Sequence, residues 1–408
     1  MIQCRRCLQR PALRPHILRS FASSFAQDLV KDKLLEEAAD NDKFWQSISH
    51  FPKDPLDDLS LSQPTRYWPH LPPRVQPTAD PFALVQHQLD DLSRSIREDL
   101  LGTDHPVLNQ AASYFFTASA DHGKRVRPTL VLLLAQALSS HDHNNDNHTQ
   151  PTTAASSNAP TRRLAEITEL IHTASLFHDD VIDQADTRRG VPSVHKIFGN
   201  KMAILAGDYL LARASIGLAR LENTQVVESM STSIEHLVRG EVMQLREGRR
   251  LDYYLRKTFY KTASLMAHAC ESTALLLDHD PLPSYQFGKH VGMAFQLVDD
   301  ALDFQASPSQ LGKPALADVQ AGLITAPVLF AAEEHPDLYD RMDRKFGHEG
   351  DVARTVECVH ASQGLERTLE LARKHAEAGM DALLDVVDPS PSRDALVQLA
   401  YAVVSRSK

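Results

Sequence analysis

Two short acidic clusters stand out in the sequence, each with three aspartates within five residues. One lies in the stretch LFHDDVIDQADTRRG and the other in FQLVDDALDF. On a helix, side chains three or four residues apart share a face, so such carboxylates repel one another unless a cation neutralises them. Compact sets of hard oxygen ligands suit Mg²⁺, which shares its coordination with water and substrate phosphates. We call these clusters the first acidic trio, Asp179, Asp180 and Asp183, and the second acidic trio, Asp299, Asp300 and Asp303.

Cationic side chains accompany the acidic trios. Two arginines are expected about a turn and a half beyond Asp183, if the helix continues. The motifs GKRVRP, YKTASL and LGKP supply further cations. Arginine forks and lysine point charges both suit phosphate oxygens, so the pattern predicts two diphosphate substrates, one held through metal and one held directly. The cations are Lys124, Arg125, Arg127, Arg188, Arg189, Lys261 and Lys313.

Helices are the elements expected to position these groups. Apolar residues recur at three- and four-residue spacing before both trios, and period-2 alternation is almost absent after Pro81. No proline occurs between Pro192 and Pro281, which favours long helices. The longest apolar run, TLVLLLAQAL, is about half of the ~18 residues that a membrane span requires, so we expect a soluble protein. The sequence predicts a mostly α-helical domain.

The N-terminal residues differ in composition from the rest of the 408-residue chain. Residues 1–27 contain five arginines, several serines and no acidic residue, which is typical of a mitochondrial transit peptide. Removal of those five positive charges would take the net charge from −10 to −15. So acidic a chain is a poor candidate for binding nucleic acid.

Two further segments do not have helical patterns. Residues 28–81 are rich in proline and predict an arm or linker that lies over the domain surface. Residues 139–161 are polar and low in complexity, and they predict a disordered insertion loop between two helices. The predicted catalytic domain is therefore 82–408, with this loop inside it.

The motifs, taken in order, closely resemble the trans-polyprenyl diphosphate synthases, and most of all the long-chain class that makes quinone side chains. The resemblance runs from Phe82 to Lys408 and is carried by GKRVRP, LIHTASLFHDDVIDQADTRRG, AILAGDYLLARA, GEVMQL, YKTASL, FQLVDDALDF and LGKP. It implies the all-α isoprenoid synthase fold, a helical bundle around a deep central cavity. It also implies a homodimer, with a heteromer as the alternative.

The resemblance assigns roles to individual residues. It makes both acidic trios catalytic, with Mg²⁺ held through Asp179, Asp183 and Asp299. By itself, His172 would more often be a packed core histidine, and Lys261 an ordinary surface lysine. The terminal SRSK resembles the basic tail of the family, which implies closure over the site, with fraying of the terminus as the alternative. The implied isopentenyl diphosphate site is Lys124, Arg127, His172 and Arg189, and the implied allylic diphosphate site is Arg188, Lys261, Thr262, Gln296 and Lys313.

The implied reaction is head-to-tail elongation of an allylic diphosphate, farnesyl or geranylgeranyl, by successive isopentenyl diphosphates. The growing chain would pass Ala174 and Ser175, one turn before the first acidic trio, where short-chain members of the family carry bulky aromatic residues. Small residues there predict a long product, roughly six to ten isoprene units (C30–C50), as in the side chain of ubiquinone.

Several alternatives remain at this stage. The chain could be a geranylgeranyl diphosphate synthase, or the non-catalytic subunit of a heteromeric synthase, although such subunits tend to lose aspartates and this chain keeps all six. A class I terpene cyclase is disfavoured, because cyclases need no isopentenyl site. A matrix enzyme of this kind could also make peripheral contact with the mitochondrial inner membrane.

Overall fold

The computed structural model describes most of the residues from Leu59 to Arg406. The chain divides into residues 1–57 and 58–408, and every described residue belongs to the second unit. The transit peptide predicted for residues 1–27 and much of the predicted arm lie outside the described residues. The described ranges are 59–72, 75, 80–100, 105–117, 125–142, 159–188, 190–246, 248–305 and 316–406.

The described chain is almost entirely helical, which confirms the all-α prediction. A short 3₁₀ turn, Ala83–Val85, precedes the first helix, and two π-helical turns, Ile96–Leu100 and Phe259–Ala263, interrupt the α-helices. The α-helices are α1 Gln86–Ser95, α2 Pro106–Thr117, α3 Val126–Asp142, α4 Ala159–Ile182, α5 Val194–Phe198, α6 Asn200–Ala219, α7 Thr224–Arg246, α8 Leu251–Thr258, α9 Ser264–Leu276, α10 Pro281–Gln305, α11 Ala317–Gln320, α12 Ala326–Glu334, α13 Asp337–Asp343, α14 Asp351–Ala361, α15 Gly364–Leu384 and α16 Pro391–Ser405.

Two long helices, α4 and α10, carry the acidic trios near their C-terminal ends. The predicted apolar stripe of α4 is fully buried at Leu164, Ile167 and Leu170. Both helices lie inside the bundle: α4 packs against α3 and α6, and α10 packs against α9 and α15. A helix with neighbours on several sides buries residues all round, which explains why α10 also buries polar residues such as His290.

The chain beyond the first acidic trio does not continue as a helix, contrary to the expectation for the arginine pair. Helix α4 ends at Ile182, and Gln184 adopts a left-handed conformation with φ of 53°. A short antiparallel hairpin follows, in which β1 Thr187–Arg188 pairs with β2 Val191–Pro192. Gly190 in its turn has a φ of 77°, which glycine accepts without strain. Arg188 therefore reaches back to the trio from a strand.

The insertion between α3 and α4 is shorter than the sequence predicts. Helix α3 extends to Asp142 and α4 begins at Ala159, so both edges of the predicted 139–161 loop are helical. Pro160 fits at the start of α4 because proline suits the first turn of a helix. Residues 143–158 lie outside the described residues.

One described helix, α6, is long and apolar enough to cross a membrane by length and composition alone. Core helices of soluble proteins meet the same criterion. In this fold α6 packs along α4 and α2, and it leaves Ile204, Leu205 and Ile216 exposed.

The close approach of α9 and α10 depends on a glycine. A Cβ atom at Gly288 would lie 2.4 Å from the backbone oxygen of Met266, whereas one at Gly379 on α15 would approach no heavy atom closer than 3.3 Å. We predict that Gly288→Ala lowers the free energy of unfolding by about 1–3 kcal/mol through overpacking. Gly379→Ala is the matched control and should change it by less than about 1 kcal/mol. Urea unfolding of both variants tests this, and equal effects would contradict it.

Candidate active site

The first acidic trio lies where α4 ends. Asp180 is 1% exposed, and its Oδ1 accepts hydrogen bonds from Nε and Nη2 of Arg188 at 3.0 and 2.6 Å. The hairpin thus returns a guanidinium to a carboxylate that is buried inside the bundle. This pairing offsets part of the cost of desolvating the carboxylate. The structure therefore places Arg188 at the first acidic trio.

A lysine and two residues of α7 adjoin the same trio. Nζ of Lys261 lies 2.5 Å from Oε2 of Glu241 and donates to Oε1 of Gln244 at 2.8 Å. The amide of Gln244 in turn approaches Oδ1 of Asp183, with an N–O distance of 3.4 Å. Gln244 thus lies between Lys261 and Asp183 and can hold the lysine beside the acidic trio.

The position of Lys261 depends on two features of the backbone. The residue lies in the π-helical turn Phe259–Ala263, and such turns are frequent at functional sites. The turn packs directly on Gly240 of α7, where a Cβ atom would lie 2.7 Å from Cγ of Lys261. Glycine at position 240 therefore lets the lysine-bearing turn approach α7 closely.

The second acidic trio is held by hydrogen bonds from several elements. Oδ2 of Asp300 accepts from the hydroxyl of Tyr254 at 2.6 Å, and Oδ1 accepts from Nε2 of Gln296 at 2.8 Å. Gln296 also accepts from the hydroxyl of Thr262 at 3.0 Å. Asp303 accepts from the backbone N–H of Asp318 at 3.2 Å. These bonds fix the orientation of two carboxylates of this trio.

The third member of the second trio contacts the C-terminal segment. Nη2 of Arg406 donates to Oδ1 of Asp299 at 2.6 Å and to the backbone oxygen of Phe295 at 2.9 Å. The guanidinium also lies 4.3 Å from the ring centroid of Phe295. A cation of the chain itself therefore lies at the second acidic trio.

The two trios belong to one site. Asp183 approaches Gln244, which bonds Lys261; the next residue, Thr262, bonds Gln296, which bonds Asp300. This set of side chains runs from the end of α4 across the π-helical turn to α10. The helices therefore bring both trios to the same end of the bundle, as the sequence interpretation requires.

The electrostatics of the site favour a bound cation. Burial raises the pKa of Asp179 to about 7 and that of Asp300 to about 7, and it also raises the pKa of Asp183. Within the described residues, the buried Oδ2 of Asp180 has no hydrogen-bond partner. Desolvated carboxylates with incompletely satisfied oxygens fit a hard divalent cation, which would neutralise them and accept their lone pairs.

A second group of predicted residues lies on α3 and α4. Nη1 of Arg127 is 3.1 Å from Nε2 of His172, so this arginine and histidine contact each other as the predicted isopentenyl diphosphate site requires. His172 is only partly buried, unlike a packed core histidine. Lys124, Arg189 and Lys313 lie outside the described residues.

The residues predicted to control product length also lie on α4. Ala174 is fully buried, and the hydroxyl of Ser175 donates to the backbone oxygen of His172 at 2.9 Å. Aromatic side chains lie nearby in the sequence and in space: Phe177 is fully buried and forms an edge-to-face contact with Phe115 of α2. The turn before the first acidic trio therefore carries small side chains at 174 and 175.

Sequence reasoning gave no role to several residues of this site. GEVMQL was part of the family resemblance, yet Glu241 and Gln244 were not singled out, although their spacing of three residues puts them on one face of a helix. Tyr254 and Asp318 carry no motif signal of their own, because they reach the trio through the packing of α8 and α11.

Comparisons with known proteins identify the family of this chain. A model of the polyprenyl synthetase family matches residues 105–360. Solanesyl-diphosphate synthase 1, mitochondrial, of Oryza sativa subsp. japonica is 44% identical over 349 residues, which cover 82% of this chain and 80% of that protein. A probable mitochondrial hexaprenyl pyrophosphate synthase of Neurospora crassa is 44% identical over 376 residues, covering 81% and 83%.

Solved structures show the same fold. A polyprenyl synthase from Caulobacter crescentus, complexed with calcium and isoprenyl diphosphate, matches with a TM-score of 0.70 and 29% identity over 80% of this chain and 97% of that chain. A geranylgeranyl pyrophosphate synthetase from Pyrococcus horikoshii matches with a TM-score of 0.68 and 29% identity over 80% and 98%. The fold is therefore common to synthases named for products of different length.

The raised pKa of Asp300 predicts a pH-dependent stability. Between its ordinary value of 3.8 and its folded value of about 7, the folded protein keeps a proton that the unfolded chain has lost, so stability falls as pH rises through this window. Asp300→Asn removes that titration. We predict that, in the absence of metal, the free energy of unfolding of the variant rises relative to that of the wild type by roughly 2–4 kcal/mol as the pH is raised from 5 to 8.

The measurement is urea unfolding in excess chelator at several pH values. Asp186→Asn is the control, because Asp186 is exposed and Lys196 holds the pKa of its carboxyl below the ordinary value. The Asp186 carboxylate loses its contribution to stability only as the pH falls through that lowered pKa. The free energy of unfolding of the control should therefore not rise relative to that of the wild type between pH 5 and pH 8. A constant difference between Asp300→Asn and wild type would refute the burial argument.

Proposed function

The chain belongs to the polyprenyl synthetase family, and on that premise we propose that it is a long-chain trans-polyprenyl diphosphate synthase. It is a prenyltransferase that extends an allylic diphosphate, farnesyl or geranylgeranyl, with successive isopentenyl diphosphates. The observation that supports this most directly is the connected set of side chains between the two acidic trios. It gives one site both anionic ligands for metal and cations for diphosphate.

The allylic diphosphate would lie between the trios. Members of this family generally depend on Mg²⁺. We propose that Asp179, Asp183 and Asp299 would hold this ion, which would neutralise charge on the departing diphosphate. Lys261 and Arg188 would bind the same diphosphate oxygens directly. Arg188 and Lys261 now pair with Asp180 and Glu241, so their positions are set before substrate arrives.

Isopentenyl diphosphate would bind beside α3 and α4, where Arg127 and His172 contact each other. Lys124 and Arg189 are proposed to complete this diphosphate site. With both substrates held, the allylic C–O bond breaks and releases diphosphate, and the double bond of isopentenyl diphosphate forms the new C–C bond. The released diphosphate then takes a proton from the product, which restores a double bond. The proposed role of these side chains is to orient the reactants, without covalent catalysis.

The remaining allylic contacts are proposed for Thr262, Gln296 and Lys313. Thr262 and Gln296 hydrogen-bond each other beside Asp300, so a phosphate could take the place of that bond. Each group would add a donor to the allylic diphosphate. Such contacts align the C–O bond for cleavage.

The product is proposed to be the long side chain of ubiquinone, about C30–C50 by analogy with the named relatives. The relatives described above are named for solanesyl and hexaprenyl products. The small side chains of Ala174 and Ser175, where short-chain members of the family carry bulky aromatic residues, support a long product. Geranylgeranyl diphosphate synthesis is the alternative, since one structural match has that name. A non-catalytic subunit is disfavoured because all six aspartates are present.

We place the protein in the mitochondrion. The arginine-rich, acid-free residues 1–27 support this, and both sequence relatives described above are named as mitochondrial. A homodimer is proposed from the apolar surface of α6 and α7, where Leu205, Val238 and Leu245 are at least 55% exposed. Contact with the inner membrane would place the long product near its lipid environment.

The synthase activity has a direct test. The full chain, incubated with farnesyl diphosphate, labelled isopentenyl diphosphate and Mg²⁺, should form a long polyprenyl diphosphate. Asp179→Asn should lower kcat by roughly 100-fold or more, since it removes a ligand and a charge where diphosphate departs. The exposed Asp186→Asn is the matched control and should retain activity. Absence of product from the wild-type chain alone would favour the non-catalytic subunit.

Product length should depend on position 174. Ala174→Phe would place a large ring beside the proposed path, so the product should shorten by about two or more isoprene units. Ala174→Ser is the control, because it changes side-chain volume little and should keep the wild-type length. Chromatography of the dephosphorylated products measures this. A wild-type product from a folded, active Ala174→Phe variant would place the path elsewhere.

A further inference from the structure

Residues 59–72 are a described part of the proline-rich segment 28–81, and they lie on the two C-terminal helices α15 and α16. From here on we use the name arm for residues 59–72 alone. The arm and both helices lie outside residues 105–360, the part of the chain that the family model matches.

A buried carboxylate holds the arm on α15. Glu377 is 6% exposed and accepts hydrogen bonds from three consecutive backbone N–H groups, those of Arg66, Tyr67 and Trp68, at 2.6, 2.7 and 3.0 Å. Asp381, one turn further along α15, accepts from the side chains of Arg66 and Tyr67. Three N–H donors converging on one anion fix both the register and the direction of the arm.

An aromatic contact extends the attachment to α16. The ring of Trp68 contacts two groups: the guanidinium of Arg373, at 4.8 Å from its centroid, and the ring of Tyr401, at a centroid distance of 5.3 Å. The hydroxyl of Tyr401 donates to the backbone oxygen of Pro69. Trp68 therefore connects α15 and α16 through one side chain.

The arm also connects to α10, the helix of the second acidic trio. Nε2 of His375 donates to the backbone oxygen of Leu59 at 3.0 Å, and Nδ1 of His375 lies 2.9 Å from Nδ1 of His290 on α10. Both histidines are buried. The arm thus stabilises the relative positions of α10, α15 and α16.

Helix α16 carries this constraint to the active site. Arg406 follows Tyr401 by five residues, about 7.5 Å along a helix. Its guanidinium contacts Asp299 at 2.6 Å and stacks on Phe295. A divalent cation that binds Oδ1 of Asp299 would repel the guanidinium of Arg406, so the two cations compete for this carboxylate.

We propose that the arm is a positioning element of the active site: by holding α15 and α16 it keeps Arg406 on Asp299, and so sets how readily metal binds the second acidic trio. Trp68, Glu377 and Tyr401 are positioning residues that act through Arg406. The inference rests on the magnesium site proposed above. Release of the arm and removal of the Arg406 guanidinium should then have the same effect.

The test measures binding of Mg²⁺ alone to the full chain, without substrate, from the rise in the thermal midpoint during a metal titration. Arg406→Gln should lower the half-saturating Mg²⁺ concentration about fivefold, the scale of one partly exposed ion pair. Trp68→Ala should lower it two- to fivefold, in the same direction. The double variant should match Arg406→Gln alone, because the two residues act in one pathway.

Two further variants separate positioning from general stability. Trp68→Phe keeps an aromatic ring beside Tyr401 and should restore the wild-type Mg²⁺ dependence. His70→Ala changes an exposed side chain of the arm and should leave it unchanged. A purely structural arm would lower the thermal midpoint in Trp68→Ala without altering its dependence on Mg²⁺, and that result would overturn the proposal.

Three other results would also overturn it. Additive effects of Trp68→Ala and Arg406→Gln would show that they act independently. An unchanged Mg²⁺ dependence in Arg406→Gln would show that its contact with Asp299 does not influence metal binding. If Mg²⁺ fails to stabilise even the wild type, the proposed magnesium site fails together with this inference. Failure of the synthase assay with normal Mg²⁺ binding would instead reject the proposed reaction alone.

Discussion

Mutual repulsion among carboxylates is the constraint on which this structure depends. Six aspartates lie at one end of a helical bundle, and burial together with neighbouring carboxylates raises the pKa of Asp179 and of Asp300 to about 7, although nearby cations and hydrogen bonds oppose the rise. Such a cluster is stable only if other groups supply positive charge or hydrogen bonds. The fold supplies Arg188 from a hairpin, Lys261 from a π-helical turn and Arg406 from the C-terminus. Each comes from a different part of the chain.

This constraint explains why the irregular elements occur where they do. The hairpin after α4 turns the chain back so that Arg188 reaches Asp180, which a continuous helix would not do. The π-helical turn brings Lys261 to Glu241 and Gln244 across Gly240. Regular helices bury the apolar stripes, and the departures from regularity deliver the cations. Two departures from regular helix, the hairpin and the π-helical turn Phe259–Ala263, thus lie at the acidic trios.

The sequence predicted what depends on local pattern and missed what depends on distant packing. The apolar stripe that contains Leu164 and Ile167 predicts α4, and three aspartates within five residues predict a metal-binding site. Both signals can be recognised because each lies within a few turns of one helix. Tyr254 and Asp318 reach the second acidic trio only through the packing of α8 and α11, so no spacing reveals them. The bend after Ile182 was also missed, since Gln184 in a left-handed conformation is not signalled by residue type.

The arm shows how a peripheral segment can matter to the same balance of charge. Glu377 is buried, as Asp180, Asp300 and Asp303 are, and three backbone N–H groups donate hydrogen bonds to its carboxylate. Asp299 instead contacts Arg406, a side chain near the end of a helix that one tryptophan connects to the arm. A guanidinium can leave a carboxylate when metal arrives, whereas backbone donors in a packed segment cannot easily do so. The hydrogen bonds between Glu377 and the arm are therefore the lasting contacts, and the ion pair between Arg406 and Asp299 is the contact that can exchange. An exchangeable contact at the site is what metal binding and release require.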